Sequence, residues 1–133
     1  MIDLNTISRI SLAEFPTPLQ KAEKLAAELG LRELFIKRDD CTSLGSGGNK
    51  VRKLEFLMAD ALKSNADVVI TLGGIQSNHA RLTAAAARKA GIPRAVLVLS
   101  GPWDGLWQGN LLLNIVLGAE MKILKDAGVK ETI

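Results

Sequence analysis

The chain has 133 residues, of which 47% are hydrophobic and 23% charged, and its formal net charge is +3. This composition is typical of a globular chain, either one ordinary domain or a piece of a larger protein. The charge is too small to indicate nucleic-acid binding, and the sequence has neither a membrane-length apolar run nor a secretory leader. The single cysteine, Cys41, excludes an internal disulfide framework and favours a reducing compartment. We therefore expect a cytoplasmic protein without nucleic-acid or membrane partners.

Taken in chain order, the predicted elements alternate between helices and strands. They are a helix from about Gln20 to Leu29, a strand at 34–36, a helix at 50–64, a strand at 67–72, a helix at 77–90, a strand at 95–99, a helix at 110–117 and a strand at 120–124. The strands at 67–72 and 95–99 are continuous aliphatic runs, which is typical of buried strands. Such alternation predicts a parallel sheet covered by helices on both faces, with ligands bound beyond the carboxyl ends of its strands.

A glycine-rich segment, Gly45-Ser-Gly-Gly-Asn-Lys50, opens the first long helix. Glycines allow backbone amides to approach an anion, and a helix N-terminus adds a partial positive charge. The segment is not a Walker loop, because Asn49 precedes Lys50 and Val51 replaces the magnesium-binding Ser or Thr. A lysine in this position can form a Schiff base, with Lys53 one helical turn further on. The alternative is a glycine-rich turn before a solvated basic helix start, which the local pattern alone favours.

A second candidate joins the strand at 67–72 to the helix that follows it. Four consecutive polar residues, Gln76, Ser77, Asn78 and His79, lie at this junction, where amides and a hydroxyl can hold a carboxylate or phosphate. Ser77 or Asn78 can equally serve as a helix N-cap, and His79 can be an ordinary helix-surface residue. One histidine and one cysteine do not supply the usual ligands of a metal site, so no metal is expected.

Two further features carry weaker signals. Asp39 and Asp40 follow a strand and can act as acid and base or bind magnesium, although a solvated turn is the simpler interpretation. Trp103 and Trp107 lie four residues apart in a loop rich in turn formers, where they can form a lid or pack beneath the loop.

Several segments occur together in the order and spacing of one known family. They are Phe15-Pro-Thr-Pro-Leu19, Ile36-Lys-Arg-Asp-Asp40, Gly47-Gly-Asn-Lys-Val-Arg-Lys-Leu-Glu-Phe56, Gln76-Ser-Asn-His79, Gly109-Asn-Leu-Leu-Leu-Asn114 and Gly118-Ala-Glu120. Through them the chain from Phe15 to about Leu124 resembles the pyridoxal-phosphate-dependent family of 1-aminocyclopropane-1-carboxylate (ACC) deaminase and D-cysteine desulfhydrase. The block around Lys50 is the most specific of these segments.

The resemblance implies the α/β fold called tryptophan-synthase-β-like, or fold type II, in which a parallel sheet is flanked by helices. The chain is expected to be incomplete at the C-terminal side of that fold. Residues 1–50 then belong to the large cofactor domain, and residues 51–133 form a small α/β three-layer domain.

The same resemblance implies the roles of individual residues toward pyridoxal 5′-phosphate. Lys50 matches the lysine that holds this cofactor covalently, and Asn49 adjoins it. Lys53 matches a contact to the cofactor phosphate, and Asn78 matches the amide that meets the hydroxyl of the pyridine ring.

Substrate contacts are expected in the loop of residues 76–79. Ser77 matches a catalytic residue near the substrate carboxylate, and Gln76, Asn78 and His79 complete the substrate-binding loop. Deaminases of the family tend to carry glutamine at the position of His79, whereas desulfhydrase-like members carry histidine. The expected reaction is therefore β-elimination from D-cysteine, giving pyruvate, ammonia and sulfide, with ACC deaminase or L-cysteate sulfo-lyase as the alternatives.

The chain departs from the family in its length, because family members are much longer. By this resemblance we expect the segment with the glycine-rich phosphate loop and the partner of the pyridine nitrogen to be missing, and residues 125–133 look less similar to the family. We expect a truncated or partial enzyme that alone binds the cofactor weakly and turns over little. The family suggests a homodimer at full length. Two rivals remain open, namely a non-catalytic α/β module that binds an anion and a remnant that needs a partner chain.

Overall fold

A computed structural model describes residues 3–124 of the chain. Its regular elements are β1 (Leu19–Lys21), α1 (Glu23–Glu28), β2 (Phe35–Lys37), α2 (Val51–Lys63), β3 (Val68–Gly74), α3 (Asn78–Ala90), β4 (Arg94–Ser100), α4 (Asn110–Val116) and β5 (Glu120–Leu124), with short 3₁₀ turns at Leu4–Thr6 and Asp39–Cys41. Residues 125–133, which the sequence analysis marked as less similar to the family, lie outside the described residues.

The main sheet is parallel, as predicted. Its strand order is β3-β4-β5, and β4 pairs in parallel with both neighbours. Helix α3 connects β3 to β4 and helix α4 connects β4 to β5, which are the crossovers that parallel strands require. The carboxyl ends of β3 and β4 therefore meet at one edge of the sheet, where Gly74 and Ser100 are paired.

A second, two-stranded sheet corrects one predicted helix. The chain is extended over β1 and pairs antiparallel with β2, so the helix expected from about Gln20 begins only at Glu23. The sequence from 20 to 22 has no capping side chain, and pairing with a distant segment decides its conformation. Helix α1 still ends as expected, before Gly30 with its left-handed φ of 65°.

The hydrophobic core lies between the main sheet and three helices. Helix α3 contacts β3 and β4, and helices α2 and α4 pack against α3. Because α3 is enclosed on several sides, every residue from 80 to 87 is buried, and the small side chains of Ala84–Ala87 allow this close approach. Leu97 and Leu99 of β4 are fully buried on the same side of the sheet.

The opposite face of the sheet is open among residues 3–124. On β3 the side chains of Ile70 and Leu72 are 65% and 73% exposed, whereas Thr71 between them is buried. The sequence predicts helices on both faces. Within residues 3–124, however, α3 packs on the Thr71 face of the sheet, and α2 and α4 pack against α3. A layer covering this second face would have to come from polypeptide outside residues 3–124 or from another molecule. The division into domains at residue 50 stays a prediction.

The N-terminal segment is tied to the helices by a buried carboxylate. Glu55 of α2 is only 1% exposed, accepts a hydrogen bond of 2.9 Å from the Leu12 amide and forms an ion pair with Arg9. Lys89 of α3 donates to the carbonyl oxygen of Leu12. Leu12 thereby reaches the core of α2 and α3, so residues on both sides of position 50 share one hydrophobic cluster.

Candidate active site

The glycine-rich segment forms a tight loop that delivers Lys50 to the start of α2. Gly47 has a φ of 77°, and a Cβ built on it would lie 2.2 Å from the carbonyl oxygen of Asp40. Only glycine satisfies both conditions, which explains the residue type at this position. The Gly48 amide donates to the carbonyl oxygen of Asp39 and to the Thr42 hydroxyl, so the loop is held from behind.

Lys50 occupies the N-cap position of α2 and is half-buried. Its amine donates a hydrogen bond of 3.0 Å to Oδ1 of Asn49. Lys53 lies one turn further along the helix and is exposed. The predicted helix start is thus confirmed, with Asn49, Lys50 and Lys53 displayed around it.

The second candidate segment forms the start of α3. Ser77 is the N-cap, and its hydroxyl accepts a hydrogen bond of 3.2 Å from the Ala80 amide. This is the capping role that the sequence left open, and it leaves the hydroxyl half-buried. Asn78 is the first residue of the helix and its side chain is exposed.

The structure brings these two segments together through Arg81, which the sequence analysis missed. Nη2 of Arg81 donates to the carbonyl oxygen of Gly47 at 3.0 Å and to Oδ1 of Asn78 at 3.3 Å. The Arg81 side chain is buried, because only 5% of the residue is exposed to solvent. The sequence offered only an arginine inside an alanine-rich helix, and that pattern does not distinguish a buried guanidinium from a solvated one.

The pKa of His79 is affected by both lysines of the site. Burial lowers the pKa of its imidazole, and the positive charges of Lys53 and Lys50 lower it further. The imidazole is therefore neutral at pH 7, and its Nδ1 is buried without a hydrogen-bond partner in the described structure. The start of α3 and the start of α2 thus share one region of positive potential.

Gln76 connects the site to the loop before α4. Its Oε1 accepts from the Asn110 amide at 2.8 Å, and its Nε2 donates to the carbonyl oxygen of Gln108 at 3.2 Å. A Cβ on Gly109 would lie 2.7 Å from that Oε1, so the glycine permits the contact. Both ends of the Gln76 amide are engaged here, and its predicted contact with substrate stays a prediction.

An open cleft of about 690 Å³ lies at the carboxyl ends of β3 and β4, beside Gln76. Trp103 lines it, and the rings of Trp103 and Trp107 pack edge to face with their centroids 5.0 Å apart. Both indoles remain partly exposed, and Nε1 of Trp103 donates to the carbonyl oxygen of Leu106. The two tryptophans therefore pack on each other within the loop.

The two aspartates that follow β2 are engaged in separate ion pairs. Asp39 accepts from Arg52 through both carboxylate oxygens, at 2.6 and 2.7 Å, and from the Thr17 hydroxyl. The hydrogen bonds from Arg52 lower the pKa of the Asp39 carboxyl to about 2. Asp40 pairs with Arg38 at the surface. This arrangement fits the structural interpretation of the pair rather than acid–base chemistry.

The groups at the two helix starts suit an anionic, carbonyl-bearing cofactor. Lys50 supplies an amine for a covalent imine, Lys53 can neutralise a phosphate, and the first amides of α3 can hold a carboxylate. Asp39, whose carbonyl oxygen binds the Gly48 amide of the glycine loop, has its carboxylate neutralised by Arg52 and so does not oppose an anion. Among the residues that the structure describes, no group of three His, Cys, Asp or Glu side chains could hold a metal ion. Within residues 3–124 there is also no helix that is both long and apolar enough to span a bilayer.

Comparison with known proteins identifies several relatives. A putative ACC deaminase from Pyrococcus abyssi is 48% identical over 120 residues, which are 90% of this chain and 35% of that protein. A D-cysteine desulfhydrase from Klebsiella pneumoniae is 54% identical over 115 residues, covering 84% of this chain and 35% of the relative. The chain thus spans about a third of the length of these curated relatives.

A solved structure described as an ACC deaminase homologue superposes with a TM-score of 0.84 at 46% identity, over 94% of this chain and 37% of the other. This match confirms the predicted fold class, an α/β fold of type II with a parallel sheet flanked by helices. The family of pyridoxal-phosphate-dependent enzymes matches residues 10–132, nearly the whole sequence. The lysine on its glycine loop, the fold and the sequence relatives therefore lead to one conclusion, that this chain belongs to the family of pyridoxal-phosphate-dependent enzymes.

Proposed function

We propose that the complete native polypeptide is a pyridoxal-phosphate-dependent lyase that acts on a small amino acid, by β-elimination from D-cysteine to pyruvate, ammonia and sulfide. The observation that carries this proposal is the position of Lys50, which ends a tight glycine loop beside the start of α3. Relatives of both activities support a lyase or deaminase, and the histidine at position 79 favours the desulfhydrase activity.

Four residues of this chain would hold the cofactor. Lys50 would bind it covalently through its amine, with Asn49 orienting that amine, as their 3.0 Å hydrogen bond suggests. Lys53 would pair with the phosphate, and Asn78 would donate to the hydroxyl of the ring. When bound, pyridoxal phosphate supplies an electron-withdrawing ring that stabilises negative charge at the substrate Cα.

The proton chemistry falls to side chains of this chain. When it is not bound covalently to the cofactor, the Lys50 amine would be the base that takes the Cα proton of the substrate. Ser77 lies at the start of α3, where its hydroxyl and the neighbouring amides can hold the substrate carboxylate. Gln76 precedes it and His79 lies two positions further on, where the lowered pKa of the imidazole keeps it neutral at pH 7.

Borohydride reduction followed by peptide mass mapping tests the covalent role of Lys50. We expect a reduced pyridoxyl adduct on the peptide that contains Lys50, and loss of both adduct and the yellow colour in Lys50→Ala. Lys63→Ala, at the exposed end of the same helix, is the matched control and should keep the adduct. A Lys50→Ala protein that stays yellow and active would contradict the assignment.

Substrate choice is tested by assays of the native polypeptide with D-cysteine, ACC and L-cysteate. We expect sulfide release from D-cysteine, and we expect His79→Gln to lower that activity relative to turnover of ACC. ACC deamination without sulfide release would favour the alternative activity. Anion binding without an adduct on Lys50 would instead favour the non-catalytic module.

We also propose that the complete protein works in the cytoplasm as a homodimer. The single cysteine supports the cytoplasmic location, and the family resemblance supports the homodimer. Analytical ultracentrifugation of the native polypeptide gives the test, and a monomer at micromolar concentration would contradict it.

A further inference from the structure

The side-chain amide of Asn78 has only one orientation that its neighbours allow. A guanidinium has donors and no acceptor, so the Asn78 atom that faces Nη2 of Arg81 at 3.3 Å must be the carbonyl oxygen Oδ1. The amide nitrogen Nδ2 is then directed away from Arg81.

Asn110, the first residue of α4, fixes the same end of Asn78 independently. Its Nδ2 lies 2.8 Å from the backbone carbonyl oxygen of Gln76, which can only accept, so this end of the Asn110 side chain must be the NH₂ group. The same NH₂ group donates its second hydrogen to Oδ1 of Asn78 at 2.9 Å. Two donors from two different helices therefore converge on one oxygen.

We propose that Arg81 and Asn110 are positioning residues, which hold Oδ1 of Asn78 between them and so present its Nδ2 as a hydrogen-bond donor to the site. This inference rests on the proposed function in one respect, namely that the acceptor for Nδ2 is the ring hydroxyl oxygen of pyridoxal phosphate. If the Asn78 amide were turned the other way, its acceptor Oδ1 would face the ring hydroxyl oxygen, which needs a hydrogen-bond donor.

Both positioning residues also connect Asn78 to a neighbouring loop. Arg81 donates through the same Nη2 to the carbonyl oxygen of Gly47, in the loop that carries Lys50. Asn110 follows the loop of residues 101–109 and binds Gln76 through its backbone amide as well. Through Arg81, the direction of the Asn78 donor is thus coupled to the loop that carries Lys50, and through Asn110 to the loop of residues 101–109.

An isosteric variant, Asn110→Asp, gives the sharpest test. It keeps the shape of residue 110 but replaces both donated hydrogens by oxygen lone pairs, so Asn78 must turn its own Nδ2 toward residue 110. In the native polypeptide without cofactor, with asparagine labelled with ¹⁵N, we expect the Asn78 side-chain NH₂ signals to shift and to exchange more slowly with water. Unchanged signals would overturn the inference, whether or not the protein binds the cofactor.

The holoenzyme supplies a second readout. We expect Asn110→Asp to weaken binding of pyridoxal phosphate by about tenfold, the upper range for one lost hydrogen bond. It should also shift the pH midpoint of the visible absorbance band in the same sense as Asn78→Ala. Asn65→Asp, which makes the same change of charge at the distant end of α2, is the control and should change neither quantity.

A double-mutant cycle separates positioning from a merely structural effect. If Asn110 acts through Asn78, then Asn110→Asp changes the band midpoint little further once Asn78→Ala is present. Arg81→Lys should retain more of the native midpoint than Arg81→Met, because it keeps a donor, while Arg88→Met on the exposed side of α3 should be silent. Full additivity in the cycle would refute the inference. A native protein that forms no adduct on Lys50 would refute the proposed function. The inference about Asn78 would then be decided by the side-chain amide signals alone.

Discussion

At the scale of single residues, the charges around the site are arranged so that anions meet unpaired cations. Arg52, one position before Lys53, is withdrawn from the site by its two hydrogen bonds to Asp39. Its guanidinium also lies 4.6 Å from the centre of the Phe15 ring, which ties it to the N-terminal segment. The three basic residues 50, 52 and 53 therefore divide into one structural cation and two that remain for a cofactor.

The pair between Asp39 and Arg52 predicts a pH dependence of stability. The pKa of the Asp39 carboxyl falls from 3.8 to about 2 on folding, so the stabilisation is complete above pH 4 and is lost as the pH falls through about 2. Because Arg52 is 42% exposed, solvent screens the pair, and we expect Asp39→Asn to lower the free energy of unfolding by about 1 kcal/mol at pH 7.

Urea denaturation of the native protein and of Asp39→Asn between pH 7 and pH 2 measures this difference in the free energy of unfolding. Asp40→Asn is the matched control, because the Asp40 side chain is 62% exposed whereas that of Asp39 is 18% exposed, and we expect a smaller effect. A difference between Asp39→Asn and the native protein that does not shrink with acid would contradict the assigned role.

At the scale of elements, two helix starts and the loops before them make the site. Helices α2 and α3 pack against each other, which brings residue 50 near residues 77–79 although about 30 positions separate them. The loops differ in how they are held: the first by a glycine that no other residue can replace, the second by the Ser77 cap. The position of Lys50 thus depends on the backbone at Gly47.

We expect Gly47→Ala to destabilise the protein by roughly 3 kcal/mol or more, because the new Cβ meets the Asp40 carbonyl and also strains a left-handed backbone. Gly30→Ala is the matched control: it has a similar positive φ of 65° with open space around it, so it should cost only about 1 kcal/mol. Chemical denaturation measures both, and equal losses would show that the steric contact is unimportant.

At the scale of the whole molecule, the helices within residues 3–124 cover the main sheet on one face only. Ile70 and Leu72 of β3 are exposed, and Val96 and Val98 of β4 are only half-buried. Continuous apolar surface of this kind usually marks a contact with other protein. The curated relatives are about three times as long as this chain, so additional polypeptide is one source of a cover.

We expect the 133-residue chain by itself to self-associate through this face of the sheet. Ile70→Lys combined with Leu72→Lys should reduce the association, because two charges would have to be buried in the contact. Size-exclusion chromatography with light scattering measures the mass. Leu25→Lys with Leu29→Lys, at exposed positions of α1 and its end, is the control. Equal masses for the native chain and the sheet variant would contradict this prediction.

Local signals in the sequence were sufficient for the elements of the main sheet. Apolar periodicity predicted α2 and α3 within one residue of their observed bounds, and aliphatic runs predicted the parallel strands. Motif spacing predicted the correct family, whereas the role it predicts for Lys50 stays a prediction. These features depend on neighbours a few residues away, which is why the chain order of residue types reveals them.

Tertiary structure alone decided what depends on distant partners. The strand at 19–21 exists because it pairs with 35–37, and the helix predicted there was wrong in its first turn for that reason. Arg81 and Asn110 are important because both donate to Asn78, and no local sequence pattern connects Asn110 with that residue. Burial and hydrogen-bond direction are properties of packed surfaces, and the identity of a residue does not specify which surface it will meet.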